Sequence, residues 1–211
     1  MSYKKNWQGK FGRQYTERNM VSIDETDEFY FRNFSISRTK LNKEFLNGRI
    51  KKKSKILEIG CNIGNQLLLL QKTGYFDLWA IELQDFAVEI AKKRVKGINI
   101  IRASADDIPF KDNYFDLVYT SGLLIHISPK NIGKVLDEIY RCTNSYIWGF
   151  EYYRENEYQM VNYRGKENLL WKTNFPKLFL ERFVSLKLIQ KRILKYRDND
   201  NLDIMYLLKK S

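Results

Sequence analysis

One histidine and two cysteines are all that this 211-residue chain offers of the side chains that most often bind transition metals or act as thiol nucleophiles. A single His excludes metal sites built on histidine clusters. Cys61 and Cys142 form neither a C-x-x-C pair nor a disulfide framework, so no metal is expected. Long apolar runs are also missing. Nothing approaches the length needed to span a bilayer, and Met1-Ser2-Tyr3-Lys4-Lys5-Asn6 leads into polar sequence rather than a signal core. A cytoplasmic location without a membrane partner is the expectation. No repeat or low-complexity tract divides the chain, whose 44% hydrophobic content suits one substantial core.

Acidic residues are in short supply. Against 37 Lys and Arg stand 25 Asp and Glu, and residues 1–55 hold 14 of the former but 6 of the latter. Such an excess invites nucleic acid. However, Lys51-Lys52-Lys53 with Lys55 directly precedes the first strand and reads as a solvated lead-in. A basic rim equally suits an anionic small molecule, so nucleic acid is not the expected partner.

The most informative stretch is Ile56-Leu57-Glu58-Ile59-Gly60-Cys61-Asn62-Ile63-Gly64-Asn65, an apolar strand that breaks into a glycine-punctuated turn and then into Gln66-Leu67-Leu68-Leu69-Leu70. Gly60 and Gly64 suit positive φ and a close backbone approach, and the following helix points its positive end at the same spot. A second apolar strand, Leu78-Trp79-Ala80-Ile81, ends at Glu82, spaced to accept the ribose hydroxyls of an adenosine. Glu58 stands where a diphosphate would be repelled, and Asn62 where a dinucleotide fingerprint has glycine. The expected ligand is therefore an adenosine carrying positive charge, as S-adenosylmethionine does.

With its E-x-G-x-x-x-G turn, the acid Glu82, and Ser104-Ala105-Asp106-Asp107-Ile108-Pro109-Phe110 followed by Asn113-Tyr114-Phe115-Asp116-Leu117-Val118, the chain resembles the class I S-adenosylmethionine-dependent methyltransferases. That resemblance implies a Rossmann-like α/β fold, with Glu58, Gly60, Asn62, Gly64 and Asn65 at the methionine end and Glu82 with Leu83 at the ribose. It further implies Ser104, Ala105 and Asp106 at the adenine and Ser121 beside the cofactor. Ser104 departs from the Asp that many relatives carry.

A narrower likeness is to the methylases associated with pseudaminic acid biosynthesis. It rests on Phe11-Gly12-x-x-Tyr15-Thr16-Glu17-Arg18-Asn19, Thr120-Ser121-Gly122-x-Leu124-Ile125-His126-Ile127, Asp137-Glu138-Ile139-Tyr140-Arg141-Cys142, Glu151-Tyr152 and Tyr163-Arg164-Gly165. This likeness implies a small-molecule acceptor, a sugar or nucleotide-linked sugar of a bacterial surface glycan. The alternatives are an RNA methyltransferase and a noncatalytic or nicotinamide nucleotide binder.

The expected organisation is a helical cap over residues 1–50 and a core over 51–211. The cap should contain a helical stretch from Glu25 to Leu46 with apolar positions at Phe29, Phe31, Phe34, Ile36, Leu41 and Phe45. Strands near 55–59, 78–82, 98–102 and 115–120 alternate with helices near 65–73 and 84–95, which means a mostly parallel sheet. Ser128-Pro129 opens a helix to about Cys142. Tyr146 to Glu151 is a fifth strand, a helix lies near 175–183, and Leu186 to Leu194 with Asp203 to Leu208 close a seven-stranded sheet.

Ligands in open parallel sheets sit beyond the carboxyl ends of the strands. His126 and Glu151 are therefore the candidate catalytic bases, and Tyr15, Arg18, Tyr152, Tyr163 and Arg164 the candidate acceptor contacts. No Asn/Asp-Pro-Pro-aromatic run ends strand four, which disfavours amino methylation of adenine or glutamine. Neither cysteine is placed for a covalent attack on cytosine.

Overall fold

Ile56-Leu57-Glu58-Ile59 is buried at all four positions, as a short strand is when helices cover both faces of its sheet. The structure, a computed structural model, describes residues 3–211. Its sheet comprises β1 (Ile56–Ile59), β2 (Leu78–Glu82), β3 (Asn99–Arg102), β4 (Phe115–Ser121), β5 (Thr143–Tyr152), β8 (Leu186–Lys195) and β9 (Leu202–Lys210). The short β6 (Gln159–Met160) and β7 (Trp171–Lys172), absent from the sequence reading, pair separately. Spatial order is β3-β2-β1-β4-β5-β9-β8, with β1 to β5 parallel and β9 antiparallel to both β5 and β8. This is the expected mostly parallel seven-stranded sheet.

Helices α5 (Asn65–Lys72), α6 (Asp85–Arg94), α7 (Pro129–Cys142) and α8 (Phe175–Arg182) supply apolar faces to it. Successive strand residues point to opposite faces, so the sheet divides two apolar layers. Tyr119, Trp148 and Leu207 enter one, while Val118, Ile147 and Leu208 enter the other. Fully burying one such side chain contributes about 1.5–3 kcal/mol. Strand β5 begins at Thr143, directly after α7, rather than at Tyr146.

Four helices precede β1: α1 (Tyr3–Gln8), α2 (Lys10–Arg18), α3 (Ile23–Phe34) and α4 (Arg38–Leu46). The stretch expected as one helix from Glu25 to Leu46 is thus two. Ser35 turns left-handed at φ 58° and ends α3, and Ser37 Oγ then accepts from Lys40 N–H to start α4. A reciprocal capping box between Ser22 and Glu25 starts α3 two residues before the expected position. Leu41 and Phe45 are buried as expected, but Phe29 and Phe31 are exposed. No helix among the described residues is long and apolar enough to cross a membrane.

Helices α1 and α2 turn sharply onto each other at Gly12, where an added Cβ would lie 1.7 Å from the Trp7 carbonyl oxygen. Gly12→Ala is accordingly expected to lower the melting temperature by about 5 °C. That follows from an overpacking cost of about 1–3 kcal/mol at roughly 2–4 °C per kcal/mol in a chain of this size. A thermal unfolding scan checks it, and an unchanged midpoint would mean that the corner is not packed as described.

Candidate functional site

The turn after β1 is fixed by backbone first. Gly60 N–H and Cys61 N–H both donate to Ile81 O, at 2.8 and 3.2 Å, tying the turn to the end of β2. Gly60 and Gly64 take φ of 73° and 81°, and Asn62 takes 47°, a left-handed value that Asn tolerates better than most residues. A Cβ at Gly60 would meet Leu123 at 2.7 Å, and one at Gly64 would meet Val95 at 2.5 Å. Gly64 caps α5 without a side-chain partner, leaving the N-terminal amides of that helix without a side-chain acceptor. Arg94 braces the turn from behind, donating to Ile63 O, Asn65 Oδ1 and Val21 O.

A cavity of about 640 Å³ opens over this turn, walled by the ends of β1, β2 and β4 and by α2 and α3. Glu58, Gly60, Asn62, Asn65, Glu82, Leu83, Ser104, Ala105 and Ser121, all expected at the cofactor, lie on its wall, whereas Gly64 sits behind. Glu82 Oε2 accepts from Asn62 N–H at 2.9 Å, and Oε1 accepts from Leu83 and Gln84 N–H at 2.7 and 2.9 Å. Those bonds take three of the roughly four acceptor sites of a carboxylate. Glu82 therefore holds the turn as much as it faces a ligand, and has room for one ribose hydroxyl rather than two. Burial raises its pKa, against the pull of those amides.

Glu58 is 2% exposed and accepts from the Tyr119 hydroxyl at 2.8 Å. Burial pushes its carboxyl up to about 8, opposed by that hydrogen bond and by nearby Arg38. Two further acceptors on the cavity residues, Asn62 Oδ1 and Gln66 Oε1, are buried without a hydrogen-bond donor among the described residues. Acceptors without donors, set beside a buried carboxyl, suit an ammonium group and repel a diphosphate. At the far wall, Ala103, Ser104 and Ala105 offer a small, mostly apolar surface suited to a base. Asp106, expected at the adenine, is drawn off that wall: its Oδ1 takes the Lys4 ammonium at 2.6 Å and Ser104 Oγ–H at 2.5 Å.

The remaining end of the cavity is aromatic. Trp7 from α1 lies 4.4 Å, ring centroid to centroid, from His126, and Tyr15 from α2 lies 5.3 Å from Trp7. Arg18 also lines the cavity. His126 sits in a 3₁₀ turn after β4, is 7% exposed, and places Nδ1 2.7 Å from Leu169 O. A carbonyl only accepts, so Nδ1 carries the proton and Nε2 keeps its lone pair. Burial lowers the pKa of this ring to about 4, leaving it neutral at ordinary pH.

Glu151 does not line the cavity. Its oxygens face Leu123 and Ile125 N–H at 3.3 and 3.4 Å, so it braces the turn that carries His126, and burial pushes it up to about 7. The reading of Glu151 as a base is corrected to a positioning role. Tyr163 packs behind, its ring on Phe11 and His126, while Tyr152 is half-buried near Lys172 and Arg164 is exposed in a left-handed turn. None of these three reaches the cavity wall. Trp7, Tyr30, Gln66 and the buried Arg38 were not read from the sequence. Of these, Trp7 alone carried a signal, as a large aromatic in a polar stretch beside the Phe11-Gly12 motif.

Residues 56–145, from β1 through the start of β5, match the family model described as a methyltransferase domain. That likeness covers less than half of the chain. Among curated proteins, the chain is similar to phosphoethanolamine N-methyltransferase of Plasmodium falciparum (isolate 3D7), 25% identical over 146 residues, covering 60% of this chain and 55% of that protein. It is also similar to ribosomal protein L11 methyltransferase of Thermotoga neapolitana, 28% identical over 109 residues, covering 50% and 39%. The chain thus spans about half the length, or less, of the curated relatives it matches.

Solved structures share the fold at low identity. Geranyl diphosphate C-methyltransferase of Streptomyces coelicolor A3(2), solved with Mg²⁺, geranyl diphosphate and S-adenosylhomocysteine, superposes with a TM-score of 0.72 at 10% identity over 100% of this chain and 98% of that one. The 1,6-didemethyltoxoflavin-N1-methyltransferase of Burkholderia thailandensis, solved with bound 1,6-didemethyltoxoflavin and S-adenosylhomocysteine, gives 0.68 at 11% over 95% and 89%. The matched stretch supplies β1 to β4 and the start of β5. Its cavity residues fit S-adenosylmethionine, with orphaned acceptors for the ammonium, Glu82 for the ribose and an apolar shelf for the base.

Proposed function

We propose that the protein is an S-adenosylmethionine-dependent methyltransferase acting on a small polar acceptor, a sugar or nucleotide-linked sugar of a bacterial surface-glycan pathway. One observation carries the reading: a single cavity runs from the acceptor-rich glycine turn, past Glu82, to an aromatic chamber roofed by α1 and α2. When bound, the cofactor supplies an electrophilic methyl carbon on a sulfonium, a good leaving group. What the chain itself contributes is alignment, exclusion of water and the handling of one proton.

Trp7 and Tyr15 offer ring faces on which a sugar stacks, and Arg18 at the rim suits an anionic substituent. The Nε2 lone pair of His126 is the base that takes the acceptor proton, with Nδ1 anchored on Leu169 and the turn held by Glu151. The roof from α1 and α2 favours a small molecule over an RNA helix. Placing a surface-glycan sugar first rests on the sequence blocks shared with the pseudaminic acid-associated methylases. Phosphoethanolamine, named by one relative, is the competing acceptor.

The test is transfer of label from methyl-labelled S-adenosylmethionine to a panel of nucleotide sugars, with product mass raised by one CH₂. Label on phosphoethanolamine alone, or steeply salt-dependent RNA binding, would replace the sugar reading. With an active acceptor in hand, His126→Ala is expected to slow transfer about a hundredfold, in line with general-base catalysis. S-adenosylhomocysteine affinity should stay within about twofold in that variant. An unchanged rate would remove His126 as the base.

A further inference from the structure

The open end of the cavity is bordered by one continuous run of chain, from the last turn of α2 into α3. Arg18 and Asn19 lead to Glu25, Glu28, Phe29 and Arg32, and all but Asn19 are exposed. Positions 25, 28, 29 and 32 recur at helical spacing, so one face of α3 forms the lip. Phe29 leaves 47% of its surface to solvent, with its ring edge-on to Tyr30 at 5.9 Å between centroids. An aromatic face left open at the mouth of a cavity suits a flat apolar partner, as the C–H face of a pyranose is.

The charges beside that ring are unpaired. Of the four acids of α3, Asp24 meets the Lys72 ammonium at 3.1 Å, Glu25 closes the capping box on Ser22, and Asp27 accepts from Thr39 N–H and Oγ1–H at 2.7 and 2.6 Å. Glu28 stands four residues before Arg32, the spacing at which a helix pairs opposite charges. No ion pair joins them among the described residues, and Arg18 makes none either. The mouth therefore offers two unpaired guanidiniums and one unpaired carboxylate around an exposed ring. Donors and an acceptor together match hydroxyls, and the surplus of one guanidinium matches a single carboxylate. Glu28 argues against a diphosphate at the mouth, as Glu58 does at the glycine turn. The mouth also adjoins the aromatic chamber: Tyr15 and Arg18 are three residues apart on α2, and both line the cavity.

We infer that the mouth between α2 and α3 is a second sugar subsite. Phe29 stacks a pyranose, Arg18 and Arg32 bind its carboxylate and a hydroxyl, and Glu28 accepts from a further hydroxyl. The acceptor is then the end of an acidic oligosaccharide, with one unit in the aromatic chamber and the next on the lip. The inference rests on the reading of that chamber as the place where a sugar is methylated.

The experiment is calorimetry on the full chain saturated with S-adenosylhomocysteine, with digalacturonate, galacturonate and maltose as probes. Wild-type protein should bind the acidic disaccharide about tenfold more tightly than either of the others. Phe29→Ala should cut its advantage over galacturonate about fivefold, and Arg18→Gln and Arg32→Gln should each cut its advantage over maltose about fivefold. S-adenosylhomocysteine affinity should stay within about twofold in all three. Each substitution is at an exposed position, and thermal scans confirm that the fold persists.

Equal binding of digalacturonate and galacturonate by wild-type protein, or an unchanged advantage in Phe29→Ala, overturns the subsite. UDP-galacturonate binding more tightly than digalacturonate, and losing that affinity in Arg18→Gln and Arg32→Gln, would give the mouth to a diphosphate and overturn it as well. Digalacturonate bound with the expected preference by a protein that shows no heat with S-adenosylhomocysteine would keep the subsite and remove the methyltransferase reading.

Discussion

Glu82→Ala is expected to weaken S-adenosylhomocysteine by about a hundredfold or more. Two losses add: a ribose hydroxyl loses a charged acceptor, and the amides of Asn62, Leu83 and Gln84 lose the carboxylate that fixes the turn. Hydrogen bonds to charged groups contribute about 1.5–3 kcal/mol each, and a hundredfold corresponds to about 2.7 kcal/mol. Glu82→Gln keeps one carbonyl oxygen and should fall between wild type and Ala. Calorimetry measures all three, with thermal scans confirming that the sheet persists. Affinity in the Ala variant within about threefold of wild type would show that neither the turn nor the ribose depends on this acid.

The second large effect is on pH. In the empty protein Glu58, pushed up to about 8 by burial, is mostly protonated at neutral pH, while a cationic ligand favours its ionised form. Binding of S-adenosylmethionine should therefore release a proton and tighten between about pH 6 and 7.5. It should level off as the ligand α-amino group, near 7.7–8.0, begins to lose its own charge. Glu58→Gln should flatten the rise and weaken binding about tenfold at pH 7.5. Titration in two buffers of different ionisation enthalpy reads the proton directly. A pH-independent affinity in wild type would mean that Glu58 does not charge on binding.

The same groups set the stability of the empty protein. Glu58, Glu151 and Asp203 have folded-state pKa values raised by burial to about 8, 7 and 8. Their contribution is fully present below the ordinary carboxylate range and is lost as pH rises through about 7–8. His126, lowered to about 4 by burial, contributes above about 6.5 and loses that contribution as pH falls toward 4. Three carboxyls lose stability over the range in which one imidazole gains it, so the melting temperature should be highest near pH 5 and decline toward pH 9.

Much of this site was legible in the chain because backbone geometry demands it. Gly60, Asn62 and Gly64 take positive φ, and an acid at the end of β2 is drawn to the amides of the neighbouring turn. Fully covered strands announce themselves as short apolar runs, which is why the centre of the sheet was readable to within a few residues. Helices α1 and α2 were not. Tyr3–Gln8 is mostly polar, and Gly9 and Gly12 look like helix breakers although Gly12 is where the two helices touch.

Charged residues were the least readable. Nothing local separates Arg38, fully buried, from the many exposed basic residues, because its burial depends on Tyr30, Ser121 and Phe150 from three other elements. Glu151 carried the chemistry of a base, but its carboxyl faces the amides of the His126 turn. Asp106, in a motif that implied adenine, is claimed by Lys4 from α1, a contact 102 residues distant.

The central claim is that buried acceptors at the glycine turn select a cationic adenosine over a diphosphate. Calorimetric titration of one preparation with S-adenosylmethionine and with NAD tests it most directly. Micromolar-range binding of S-adenosylmethionine with no detectable heat from NAD is the expected result; NAD binding with comparable affinity, and displacing S-adenosylmethionine, would contradict that selection.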